Sequence, residues 1–310
     1  MPSRSTRSTF ELFQLFPDQA SARLYLEERR WRGVPVCPHC GCTGRITARK
    51  GKRLGYYRCR DCGEEFTVRT GSIFGRSHVP LHKWVYAMYL VVTSRKGISS
   101  LQLSKEIGVQ QKTAWFILGR LREACGDDIE LLRGIVEVDE VYIGGLEQKK
   151  HESKKTNAGR GPSTKQAVLG IRQRGGKSVA VPVDDTTKAT LQSKIAEHVE
   201  TGAMICTDEH KSHKGLESKG YAHGSVKHST VEYVGANDIH VNSAESMWAV
   251  FRRGLYWTWH HCSRKHLARD LNEATFRLNE GSVKMHTLGR LTAFTDKAFN
   301  RRITYKELTA

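Results

Sequence analysis

The spacing of apolar positions changes character three times along the chain. "FELFQLFPDQASARLYLEERRW", from Phe10 to Trp31, carries apolar side chains at helical intervals and predicts an N-terminal helical segment over 1–33. Residues 34–70 lose that period and are rich in Gly, Cys and basic side chains. Helical spacing returns over 78–128. There Trp84, Met88 and Val91 or Val92 share one face of a first helix that Gly97 ends. Ser99 with Gln102 makes a capping-box pattern that opens a short helix through Ile107, and Gly108-Val109 makes a turn. A third helix from Gln110 to about Cys125 turns Ala114, Ile117, Leu118 and Leu121 inward.

After Leu132 the period becomes that of strands. "GIVEVDEVYIGG", "QAVLGIRQ" and "SVAVPVDD" read as strands, "TTKATLQSKIAEHVE" as an amphipathic helix, and "AMICTDEH" as a fourth strand. A further helix begins near Asn242 in "VNSAESMWAVFRRGL". Three strands, a helix, another strand and then helices is the element order of a ribonuclease H-like α/β domain, expected over 132–285 with a tail over 286–310. Between the first two strands lies a polar, basic loop over 146–165. It is either a solvated tether or an arm that meets phosphate.

The first strand poses a chemical question. In "LRGIVEVDEVYIGG", Glu137, Asp139 and Glu140 sit among Ile, Val and Tyr, and an ionised carboxylate in an apolar strand is costly unless a cation or hydrogen-bond donors compensate it. Asp208 follows Met204-Ile205-Cys206-Thr207 at the carboxyl end of the fourth strand, and Glu245 opens the late helix. In a fold of this order Asp139, Asp208 and Glu245 can converge on one sheet edge. Carboxylate oxygens are hard ligands suited to Mg²⁺ or Mn²⁺. Two such ions activate a water or a 3′-hydroxyl and stabilise the leaving oxygen in attack on a phosphodiester. On that reading Glu137 and Glu140 are neighbours of lesser importance. Asn242 and Glu245 also make a capping pair at N-cap and N3, which would account for both without metal.

Charge narrows the partner. The 310 residues hold 50 Lys or Arg against 32 Asp or Glu, a formal net charge of +18, so a polyanion, nucleic acid first, is expected. The start "MPSRSTRSTF" has no apolar core of a signal peptide, and no run approaches the roughly 20 apolar residues of a membrane span. A soluble, intracellular protein is the expectation.

Eight cysteines are present, four of them in two knuckles, Cys37-Pro-His-Cys40 and Cys59-Arg-Asp-Cys62. That is zinc-ribbon spacing, with Gly41 and Gly63 supplying the left-handed backbone that follows each turn. A closed shell of four thiolates is structural and leaves no open position for catalysis. His39 is expected to face solvent, Cys42 is a decoy, and Cys125, Cys206 and Cys262 are expected as buried thiols. His260, His261, Cys262 and His266 cluster in sequence without a ligand spacing. The helix–turn–helix of 78–128 opens its third helix with Gln110, Gln111, Lys112 and Thr113, the arrangement of a DNA-reading helix, although a plain three-helix bundle has the same outline. Arg252 and Arg253 form a solvated face or hold phosphate, and Trp248 belongs to the core.

Several segments together resemble one family, the zinc-ribbon insertion-sequence transposases of the ISXO type, which are DDE recombinases. They are "RRWRGVPVCPHCG", the second knuckle, "VEVDEVYIGG", "ICTDEHKSH", "HVNSAESMWAVFRRG" and "SRKHLARDLNEATFRLN". The resemblance implies Asp139 and Asp208 as the two catalytic aspartates and a third site in the helix from Asn242 to Arg253. Family members have Asn or Glu there and a following Lys; this chain has both Asn242 and Glu245, with Arg252 and Arg253 where Lys is commoner. It further implies a transposase whose ribbon and helix-turn-helix bind the terminal inverted repeats in double-stranded DNA. Two divalent ions would serve strand cleavage and transfer to target DNA, and a homodimer or larger assembly would pair the two ends. An inactive DNA-binding regulator, or a ribonuclease H-like nuclease without strand transfer, are the alternatives.

Overall fold

The computed structural model describes residues 8–126, 130–144, 151, 153, 165–226, 239–281, 285–299 and 301–309. Most of the basic 146–165 loop lies outside the described residues. The chain divides into two compact units, 1–126 with 281–310, and 127–280.

In the first unit, α1 (Thr9–Leu15) and α2 (Gln19–Trp31) stand where the sequence predicts one helical segment, because Pro17 has no amide hydrogen to continue α1 and Asp18 caps α2 through the Ser21 N–H. Three short antiparallel strands, β1 (Ile46–Ala48), β2 (Tyr57–Cys59) and β3 (Glu65–Phe66), follow. Trp31 of α2 meets Tyr57 and Phe66 edge-on, which fastens this small sheet to a helix. Next come α3 (Leu81–Thr93), α4 (Ser100–Ile107) and α5 (Gln111–Cys125). Ser99 accepts from the Gln102 N–H and Gly108 ends α4 in the left-handed region at φ 60°, as the sequence pattern requires. Ala114, Ile117, Leu118 and Leu121 are all buried. Helix α3 stops at Thr93 rather than at Gly97, with Thr93 Oγ1 donating back to the Tyr89 carbonyl. The C-terminal tail of 286–310 carries two helices among its described residues. They are α9 (Thr287–Phe299) and α10 (Tyr305–Thr309), and α9 packs on α2, α3 and α5 by burying Leu291, Phe294 and Ala298.

The second unit is a five-stranded sheet of order β6-β5-β4-β7-β8, built from β4 (Ile135–Ile143), β5 (Gln166–Gln173), β6 (Ser178–Val183), β7 (Met204–Thr207) and β8 (Ala222–Ser225). The first three pair antiparallel, and β7 and β8 join in parallel after α6 (Lys188–His198). This is the ribonuclease H-like topology. Strand β8, "AHGS", has only one buried residue and no alternating apolar signal, so sequence pattern passes over it. One face of the sheet, with Val136, Val138, Leu169 and Ile171, packs on Leu191 and Ile195 of α6. The other face, with Val141, Ile143 and Val168, packs on α7 (Asn242–Gly254) and α8 (Leu267–Glu280) through Met247, Trp248, Phe251, Leu267 and Leu271. Trp248 is core, as its spacing predicts; Cys125 and Cys206 are buried, whereas Cys262 is half-buried.

Candidate active site

The two-residue period of β4 sends its carboxylates to opposite faces. Glu137 and Asp139 share the face of Val141 and Ile143, toward α7, and Glu140 shares the face of Val136 and Val138, toward α6. Asp139 lies opposite Gly170 of β5. A Cβ on Gly170 would stand 2.4 Å from both Met247 Cε and Trp248 Cζ2, so the missing side chain is what lets α7 lie this close to the sheet beside Asp139.

Glu137 is wholly buried and is not a minor neighbour. Its Oε2 accepts from the backbone N–H groups of Ser243, at 2.7 Å, and Ala244, at 3.0 Å, in the first turn of α7. Its Oε1 accepts from Arg174 Nε at 2.7 Å and lies 3.2 Å from His240 Nδ1. A strand carboxylate therefore supplies the anion that a helix N-terminus favours, and it neutralises Arg174 as well. This overturns the idea that Asn242 and Glu245 cap α7. The N-cap residue is Val241, no side chain of its own caps the helix, and Asn242 already sits inside it, exposed. Glu245 is left exposed on the first turn.

Asp208 sits just past the end of β7, the strand that runs parallel beside β4, and its Oδ1 accepts from the His210 N–H. Asp139 is half-buried. Burial first, then the negative charges of Glu140, Asp208 and Glu245, push its carboxyl up to about 7. Glu140, Asp208 and Glu245 thus lie close enough for Asp139 to feel them, which gathers the three carboxylates that the sequence singles out. The tightest group is a different one. Glu140, Asp208 and His213 hold ligand atoms within 4.8 Å of one another. Sequence reading demoted Glu140 and did not single out His213; the available signal was a His five residues after the aspartate in "TDEHKSH".

In the first unit Cys37, Cys40, Cys59 and Cys62 converge, with Sγ···Sγ separations of 3.7 Å for Cys37–Cys62 and 3.6 Å for Cys40–Cys59. Thiolates about 2.3 Å from a tetrahedral zinc stand about 3.8 Å apart, so the four fit that ion. Gly41 and Gly63 take φ of 75° and 74°, as predicted, and His39 is exposed. Cys42 joins a second group, with Cys59 and Asp61. Gln110, Gln111 and Lys112 are exposed and Thr113 half-exposed at the start of α5, and Arg252 and Arg253 are exposed on the last turn of α7. No helix among the described residues is long and apolar enough to cross a membrane.

A ribonuclease H-like sheet with carboxylates gathered where strand β4 passes the end of β7, in a chain that also carries a cysteine-rich ribbon, defines a transposase. The sequence matches the ISXO2-like transposase domain over residues 131–279 and the transposase zinc-ribbon domain over residues 17–65. A protein of the transposable element ISH50 from Halobacterium salinarum is 30% identical over 250 residues, covering 77% of this chain and 84% of that one. The chain belongs to the ISXO2-like insertion-sequence transposase family. Among solved structures, the Mos1 strand transfer complex is similar at 12% identity and a TM-score of 0.30, covering 69% of this chain and 76% of that chain. A simian T-cell lymphotropic virus intasome is similar at 13% identity and a TM-score of 0.28, covering 56% and 63%.

Proposed function

We propose that this transposase recognises the terminal inverted repeats of its element and both cleaves and joins DNA strands at the centre formed by Asp139, Asp208 and Glu245. The observation that carries the reading is the gathering of carboxylates around Asp139, whose own carboxyl burial, and then Glu140, Asp208 and Glu245, push up to about 7. Such a group of carboxylates suits a hard dication, and bound Mg²⁺ or Mn²⁺ would supply Lewis-acid stabilisation of the attacking and leaving oxygens. Asp139 would present its carboxylate from within β4 and Asp208 from just past the end of β7, and Glu245 approaches from α7, whose closeness depends on Gly170 and whose first turn is held by Glu137. The exposed opening of α5, with Gln110, Gln111, Lys112 and Thr113, would enter the major groove, the zinc-filled ribbon would add a second contact, and Arg252 and Arg253 would hold phosphate near the cut. Two ends are paired in transposition, so an assembly of at least two protomers on DNA is expected.

The test incubates purified protein with labelled element ends, a target plasmid and Mg²⁺. Cleavage at the repeat boundary and joined products, both absent without divalent ion, support the reading. Specific binding without cleavage in Mg²⁺ or Mn²⁺ would instead identify a DNA-binding regulator, and cleavage without joined products a nuclease.

A further inference from the structure

Behind the sheet face that carries Asp139, the opposite face presents a second set of donors. Glu140 points toward α6, and the short helical turn Lys211–His213 brings His213 against it. That turn is clamped. Buried Gln192 of α6 donates to the carbonyls of Ser212, at 3.2 Å, and Lys214, at 3.1 Å, on either side of His213, and Ser212 Oγ donates to the Thr186 carbonyl at 2.6 Å.

The His213 side chain is 1% exposed and that of Glu140 8%. His213 Nε2 lies 2.9 Å from Glu140 Oε1, yet neither ring nitrogen, nor that oxygen, has an aligned hydrogen bond among the described residues. A buried imidazole left this way is costly unless something else meets its lone pair. Neighbouring ligands about 2.1 Å from an octahedral ion stand about 3.0 Å apart, close to the separation observed. Asp208 completes the group within 4.8 Å.

We infer that Glu140, Asp208 and His213 form a cation site of mixed nitrogen and oxygen ligands that takes a first-row transition dication such as Mn²⁺ in preference to Mg²⁺. The imidazole supplies the preference, because Mg²⁺ favours oxygen ligands alone, whereas nitrogen ligation strengthens along the transition series. Asp208 belongs to both sets of carboxylates, so an ion here would lie beside the proposed catalytic centre. The inference goes beyond the proposed function and does not depend on strand cleavage.

Its test is pulsed electron paramagnetic resonance on full-length protein loaded with Mn²⁺, which detects nitrogen bound directly to the ion. The expected result is a ¹⁴N coupling that changes to a ¹⁵N pattern when the protein is made with ¹⁵N-histidine, survives His210→Ala and disappears in His213→Gln. Wild-type protein that binds Mn²⁺ without nitrogen coupling overturns the site, and so does a coupling lost in His210→Ala but kept in His213→Gln. Should His213→Gln fail to fold, Glu140→Gln replaces it. Mn²⁺ affinity should then fall at least about tenfold while Mg²⁺ affinity falls less, and an unchanged ratio overturns the inference. The cleavage assay above runs independently, so loss of this site and loss of the transposase reading give different results.

Discussion

Replacing Asp139 by Asn removes one charge from a group of four carboxylates while keeping nearly the same shape. The carboxyl of Asp139 is raised from 3.8 to about 7, by burial and then by Glu140, Asp208 and Glu245. A raised pKa means that the folded protein holds this proton more tightly than the unfolded chain does. Between the two pKa values the native state binds more protons, so stability falls as pH rises from about 4 to about 7 and stays low above that. Three pKa units correspond to about 4 kcal/mol as a ceiling, and solvent reaching a half-buried carboxylate lowers this to about 1–3 kcal/mol. In metal-free buffer Asp139→Asn should therefore melt higher than wild type at pH 8, by about 2–12 °C for a unit of this size, and at the same temperature at pH 4. Differential scanning calorimetry with a chelator present reads this directly. Adding Mg²⁺ or Mn²⁺ at pH 8 should stabilise wild type more than the variant, and cleavage by the variant should collapse. A variant that melts no higher than wild type at pH 8, or higher by the same margin at both pH values, would refute the electrostatic account of this site.

Glu137→Gln keeps the size of the side chain but turns an amide group toward donors that need an acceptor; it should cost about 3 kcal/mol in chemical denaturation and lower cleavage with DNA affinity kept. Glu245→Gln should abolish cleavage, whereas Asn242→Ala, which removes no cap, should change stability by less than about 0.5 kcal/mol; the reverse pattern in a cleavage assay would move the third ligand to Asn242. Cys59→Ser should release zinc, read by elemental analysis, and unfold the ribbon while the sheet domain keeps its melting transition. Gln111→Ala with Lys112→Ala should narrow the gap between specific and random DNA in competition binding, and unchanged discrimination would place the reader elsewhere.

Elements whose core is local were legible in the sequence. Helix α5 announces itself because Ala114, Ile117, Leu118 and Leu121 recur at helical spacing, and α4 because Ser99 and Gly108 mark both its ends. The ribbon was legible because a tetrahedral ion constrains ligand spacing within a few residues of each turn. Strand β8 was not, since its four residues gain their place from pairing with β7 and not from a buried stripe of their own. The same holds for α9. Its apolar face has a helical period, but that it covers α2, α3 and α5 some two hundred residues earlier is a tertiary fact that no local pattern encodes.

The three carboxylates of β4 show where reading a site from sequence stops. Their alternation alone separates Glu140 from Glu137 and Asp139, because neighbours on a strand face opposite ways. What each one meets depends on elements far along the chain. Asp139 looks toward a helix that Gly170 admits, Glu140 toward a turn that Gln192 clamps, and Glu137 into the amide groups that open α7. An ionised carboxylate in this strand needs a cation or hydrogen-bond donors, and Glu137 finds both, in Arg174 and in the helix terminus. Its charge fixes where α7 begins, and the start of α7 sets how near Glu245 comes to Asp139. A buried carboxylate two residues from Asp139 thereby shapes the surroundings of that side chain, and only its partners distinguish it from the carboxylate beside it.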